Sequence, residues 1–165
     1  MGFISRILGI VPKSESEGLT LDESHTWEVE PTRDCSKFVE ALPTLLPEGA
    51  VVYLEGTTEP EVNDFLENHL LGDPQKVAIG TIWPMPSRYH VPCSTAIMSA
   101  LAALLNDASI AYLCTHIHAY KNDKMLMEWH DAFYDVPVRI SRQIDEEAVA
   151  SFAEAVGKSY TDGTD

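Results

Sequence analysis

Long apolar runs are missing from this 165-residue chain. None approaches the ~20 residues needed to cross a bilayer. The opening segment Met1–Val11 is apolar but short, with neither a basic leader nor a small-residue cleavage site, so it reads as no signal peptide. Gly2 invites a myristoyl group, but Arg6 stands where that motif wants Ser or Thr. No membrane role is expected.

Basic charge is scarce as well. Eleven Lys and Arg face 26 Asp and Glu, giving a formal net charge of −15. Such a surface repels phosphate backbones and anionic membranes, so nucleic acid is excluded and a small molecule or a basic protein partner is favoured. Cysteine is limited to Cys35, Cys93 and Cys114. An odd count without CxxC spacing or a disulfide framework suits a reducing compartment, and a cytoplasmic location is expected. A glycine-rich phosphate loop is also lacking: Gly56-Thr57-Thr58 is flanked by Glu55, Glu59 and Glu61, which disfavours nucleotides.

What is present suits a folded domain. Apolar residues make up 45% and charged residues 22%, enough to build a core without metal or disulfide support. The chain divides into a polar-linked amphipathic or flexible leader over 1–18, one globular unit over 19–158 and a polar tail over 159–165. His25, Trp27 and Val29 alternate as a short strand. Phe38, Val39, Leu42, Leu45 and Leu46 mark a helix starting near Asp34, with Pro43 expected to kink or divide it. Ala50–Leu54 is a buried strand, Thr58–Leu71 a helix with Pro60 in its first turn, and Val77–Ile82 another strand. Trp83–Pro92 reads as a loop. Ser94 caps a helix through Leu105. Ala111–Tyr120 and Met125–His130 form a hairpin, Val136–Ser141 a further strand, and Asp145 caps a last helix that ends at Gly157. This order predicts an α+β, mixed α/β fold. Its mixed sheet of five to six strands joins parallel crossovers to a C-terminal antiparallel hairpin, with helices mainly on one face.

The hairpin carries the chemistry. Side chains alternate across a strand, so Leu113, Ile117, Ala119, Met125, Met127 and Trp129 share an apolar face. Tyr120, His116, His118, Leu126, Glu128 and His130 share the other. That grouping requires strand partners whose numbers sum to an even value, as a three-residue loop gives; a two-residue Asn122-Asp123 turn gives odd sums. Burying a Met-sized side chain is worth ~2 kcal/mol, so the apolar pattern outweighs the turn preference and selects even pairing.

Two functional classes follow. One is a small acidic binding or interaction module whose polar sheet face meets solvent or a partner, with no cofactor. The other is a metal-dependent hydrolase or lyase. There His116, His118 and His130 would hold a divalent transition metal such as zinc, and Glu128 would serve as an orienting group or general base. Arg139 on the next strand is placed to pair with Glu128 or bind an anion, and Tyr120 lies on the same face. Cys93, at a helix start with His90 three residues before it, is a further candidate, as a thiol activated by the helix dipole.

Overall fold

The computed structural model describes residues 17–78, 80–81, 84–106 and 113–163. Most of the leader and the start of the predicted Ala111–Tyr120 strand lie outside these residues.

In chain order the elements are β1 (Thr26–Val29), α1 (Cys35–Leu45), β2 (Val51–Glu55), α2 (Pro60–Glu67), β3 (Arg88–Pro92) and α3 (Thr95–Leu105). There follow β4 (His116–Lys121), β5 (Lys124–Trp129), β6 (Val138–Ser141), α4 (Glu146–Ala155) and β7 (Tyr160–Asp162). The strands form one sheet in the order β3-β2-β4-β5-β6-β1-β7. The fold is α+β, as expected, with seven strands instead of five or six.

Every pairing between these strands is antiparallel. The parallel crossovers expected from the element order do not form. The reason is that β3 is not the Val77–Ile82 run: Val77 makes only an isolated parallel bridge to Leu19. The strand is Arg88–Pro92 instead, where Tyr89 and Val91 turn into the core between the more exposed Arg88 and His90. Starting eleven residues later reverses its direction relative to β2. The C-terminal tail also differs from expectation, since Tyr160–Asp162 pairs with β1 as an edge strand. Tyr160 meets Trp27 edge-to-face at 5.9 Å, while Arg142 lies over the Trp27 ring and pairs with Asp162.

The four helices among the described residues all contribute to one apolar core on one side of the sheet. Asp34 caps α1 by accepting from Lys37 N–H, and Ser94 caps α3 by accepting from Ile97 N–H. Pro43 lies inside α1, two residues from its C-terminal end, and does not divide the helix. Asp145 occupies the N-cap position of α4 but makes no side-chain cap bond. α2 ends at Glu67, short of the predicted Leu71, and Leu70 is left exposed. At the centre of this layer Phe38 packs on Trp129 at 4.7 Å, with Phe133 and Phe152 edge-on to it.

The β4–β5 hairpin reaches even pairing by an unexpected route. The connection is the two-residue Asn122-Asp123 turn, with Asn122 at φ +53°, and Tyr120 pairs with Met125 and Lys121 with Lys124, an odd register. A bulge beside Ala119/Tyr120 then inserts one extra residue on β5. Ala119 opposes Met127, His118 opposes Glu128 and Ile117 opposes Trp129, which is the even register. The bulge exchanges two side chains. Met125 joins Tyr53, Tyr120 and Val51 on the polar face, and Leu126 joins the helix-side core, the reverse of the expected placement.

Candidate functional site on the strapped face

The sheet face opposite the helices is built from transverse rows. Residues in register across strands lie side by side, ~5 Å apart. One row runs His90, Tyr53, His118, Glu128, Arg139 and Glu28 across β3, β2, β4, β5, β6 and β1. A second sets Arg88 beside Glu55 and Glu55 beside His116, with His130 just beyond β5.

The three predicted imidazoles do meet. His116 and His118, two apart on β4, have ring centroids 6.4 Å apart and nearly parallel planes. His130 crosses both, at 5.3 Å from His116 and 4.7 Å from His118. Tyr53 stacks on His118 from the other side at 5.6 Å.

This face is not open to water. His116, His118, Glu128, Tyr53 and Glu55 are all buried, and His130 keeps a half-exposed side chain. Two stretches of chain, around Gly18–Leu21 and Gln75–Ala78 with Gly80 and Thr81, lie across it and bond to each other: Leu19 N–H donates to Lys76 O, and Ala78 N–H donates to Leu19 O. Leu21 and Val77 pack with Val51, Tyr53, Tyr120 and Met125 in a small second apolar cluster.

The straps are pinned by carboxylates rising from the sheet. Glu128 Oε1 accepts from Leu21 N–H at 2.7 Å. Glu55, wholly buried, accepts from Tyr53 O–H at 2.6 Å, from Thr81 N–H at 2.6 Å and from Gly80 N–H at 3.2 Å. Gly80 lies so close over the imidazole of His116 that a Cβ there would come 2.8 Å from Cδ2 and 2.9 Å from Nε2. Only glycine lets the strap approach this ring.

The ring nitrogens define what the cluster can do. His116 Nδ1 accepts the backbone N–H of Asp131 at 3.0 Å, and His118 Nδ1 accepts that of Trp129 at 3.3 Å. A backbone amide can only donate, so each neutral ring carries its hydrogen on Nε2. Burial lowers both pKa values, most strongly for His118, and the neighbouring imidazoles add to the effect there. His130 shifts the other way: its Nε2 lies 3.6 Å from Glu128 Oε2, and that carboxylate holds the proton on. The cluster is thus two neutral N–H donors beside one imidazole inclined to be cationic. A histidine metal ligand does the reverse, giving the metal a lone pair while its other N–H donates to an acceptor. Among the described residues no group of three or more His, Cys, Asp or Glu is arranged to hold a metal ion.

The remaining predicted residues separate. Arg139 faces Glu128 across the sheet, yet its guanidinium goes to Glu23 at 2.9 Å and Glu28 at 3.6 Å. Tyr120 accepts from Gln75 N–H at 3.2 Å and meets His90 Nδ1 at 3.1 Å. Cys93 packs against the helix-side core while His90 lies on the strapped face, since residues three apart on an extended chain point to opposite sides. Burial pushes the Cys93 thiol up to about 12, the opposite of an activated nucleophile.

Glu55 and Tyr53 are the members of this network that the sequence reading missed. Ala50–Leu54 looked like a strand buried on both sides, and it is. The available signal was the alternation Val51, Tyr53, Glu55, which places a phenol and a carboxylate on one face.

What these features define is a class: a four-helix layer on an antiparallel seven-stranded sheet, with a buried histidine–tyrosine–carboxylate network under two straps. Comparison with known proteins adds no closer relation, because no family model, curated protein or solved structure matches the chain.

Proposed function

We propose that this chain is a small acidic binding or interaction module, and that its recognition site is the donor cluster of His116, His118 and His130 beneath the straps. The observation carrying this reading is the use of both buried Nδ1 atoms as acceptors of backbone N–H groups. It leaves Nε2–H on each ring, suited to a ligand that accepts hydrogen bonds and unsuited to a cation. The carboxylates support the same reading. Glu55 holds Thr81 and Gly80, while Glu128 holds Leu21 through one oxygen and His130 through the other. A general base needs its lone pairs for substrate or water. The net charge of −15 favours a basic partner at the outer surface.

The metal-dependent hydrolase or lyase has in its favour only the closeness of the three rings. Nitrogen-detected NMR of the imidazoles, combined with zinc analysis of untagged protein, separates the two readings. The binding module predicts Nε2–H tautomers for His116 and His118 and no stoichiometric zinc. Stoichiometric zinc that disappears in His118→Ala would overturn it.

A further inference from the structure

The turn after β5 is held in a conformation that most residues avoid. Asp131 sits at φ +49° and Phe133 at φ +68°, in the left-handed region that residues other than glycine seldom enter. Phe133 is seated in the aromatic layer, 4.7 Å from Trp129 and 5.7 Å from Phe38. Ala132 N–H donates to Thr115 O at 2.8 Å, and Trp129 Nε1–H donates to Val136 O at 2.7 Å. Between these anchors, His116 Nδ1 holds the turn by accepting Asp131 N–H at 3.0 Å. The stretch that His116 holds also carries His130, the half-exposed ring that crosses both His116 and His118. Apart from that stretch, the tie on the His130 ring is Glu128 at 3.6 Å.

A backbone N–H cannot accept a hydrogen bond. A proton added to His116 Nδ1 therefore meets another donor, and the bond to Asp131 is lost. Turning the ring over puts Cδ2 in place of Nδ1 and loses it equally. Glu55 faces this ring from β2, in register with it and with Arg88 beyond. His118 stands beside it on β4, while His130 and Asp131 come from the turn. Gly80 and Thr81 of the strap bring no ionisable side chain. Burial has the largest influence and, with His130, holds the proton off against Glu55 and Asp131, so the pKa lies below the ordinary 6.5. In a released turn the ring meets water and returns towards 6.5. The released form thus takes up the proton first, and falling pH favours it. His118 is enclosed by Tyr53, Glu128, His116 and His130, and its pKa is lowered further, so its bond from Trp129 N–H outlasts that of His116.

We propose that His116 is an acid-sensitive latch: its protonation breaks the Asp131 N–H bond, relaxes the strained turn and loosens the cover that His130 forms over the donor cluster. This rests on the binding reading of the cluster and adds its regulation, with ligand admitted when the latch opens.

Amide hydrogen exchange of the full chain, expressed as protection so that the intrinsic effect of pH is removed, tests the latch. From about pH 7.5 to about pH 5, Asp131 should lose protection by about 5-fold or more. The midpoint should match the titration of the His116 ring, read from its nitrogen shifts, while the amides of β2 and β4 change less than ~2-fold. His116→Asn places an amide oxygen near the position of Nδ1 without a titrating proton, and should keep Asp131 protected throughout. Constant protection of Asp131 in the parent, a midpoint unrelated to His116, or a loss shared equally by β2 and β4 would overturn the proposal; all three are read from the parent alone if the variant does not fold. An equal loss in His116→Asn would overturn it too. The nitrogen spectrum at about pH 7.5 separates this failure from that of the binding reading. Nε2–H tautomers there leave the binding reading standing when the latch fails, and Nδ1–H tautomers end both.

Discussion

Replacing Glu55 by Gln tests whether the strapped face is held as described. The parent carboxylate takes three donors, Tyr53 O–H, Thr81 N–H and Gly80 N–H, with no exposure to water. An amide keeps one oxygen and turns the other into an NH2 donor. With its oxygen toward Thr81, the NH2 meets Gly80 N–H, and Tyr53 must rotate its hydroxyl to become an acceptor. With the amide reversed, the NH2 faces Thr81 N–H instead. Either way one charge-assisted bond becomes donor against donor, at a cost of about 1.5–3 kcal/mol. For a domain of this size that is a fall in Tm of roughly 3–12 °C. Glu55→Ala strands two backbone donors and should cost about 3–6 kcal/mol. Urea unfolding measures the totals, and amide hydrogen exchange locates the loss, which should concentrate at Gly80 and Thr81. A Glu55→Gln protein within about 0.5 kcal/mol of the parent, with those two amides still protected, would refute the pinning role.

Four further outcomes follow from the same structure. The folded-state pKa values of His90, His116 and His118 lie below the ordinary 6.5, that of His90 at about 4. The unfolded chain therefore binds protons first as pH falls, and the stability these rings contribute is complete above pH 6.5 and lost towards pH 4. The slope should reach up to about 1.4 kcal/mol per pH unit for each ring, read from urea unfolding across that range. His130 has the opposite sign: its pKa is raised by Glu128, so its contribution is present below 6.5 and lost as pH rises through the raised value. Phe38→Ala removes a fully buried ring from contact with Trp129, Phe133 and Phe152 and should cost about 3–5 kcal/mol in equilibrium unfolding. Gly80→Ala drives a methyl group into the His116 ring, so a loss of about 1–3 kcal/mol is expected, with a shift in the His116 nitrogen resonances; an unchanged His116 spectrum would contradict that contact. Cys93, with its thiol pushed to about 12, should alkylate far more slowly at pH 8 than in urea, and equal rates would show the burial to be wrong.

The helix side of the molecule was legible in the sequence because its signals are local. Asp34 and Ser94 cap where their positions suggest, and apolar spacing marks the inward faces of α1, α3 and α4. The histidine grouping was legible through parity, since the need to bury Met127 and Trp129 beside Ile117 and Ala119 outweighs what the turn prefers. What escaped depends on distant partners. Val77–Ile82 has the composition of a strand, but Arg88–Pro92 occupies the position beside β2. Whether a polar sheet face meets water or chain is decided by segments remote in sequence: Leu21 reaches Glu128 across 107 positions. The tail at Tyr160–Asp162 is polar and short, and only the open edge of β1 makes it a strand.

The bulge in the β4–β5 hairpin has a consequence for how this gene product can change. One surplus residue, offset from the loop tip, restores the phase of everything downstream. Removing it while keeping the Asn122-Asp123 tip would turn Glu128 toward the aromatic layer and Trp129 toward the histidines. Removal combined with one residue added at the tip would return both to their sides. Length variation in this hairpin is therefore tolerated only in compensating pairs, and the grouping of His116, His118 and His130 survives or vanishes as a unit.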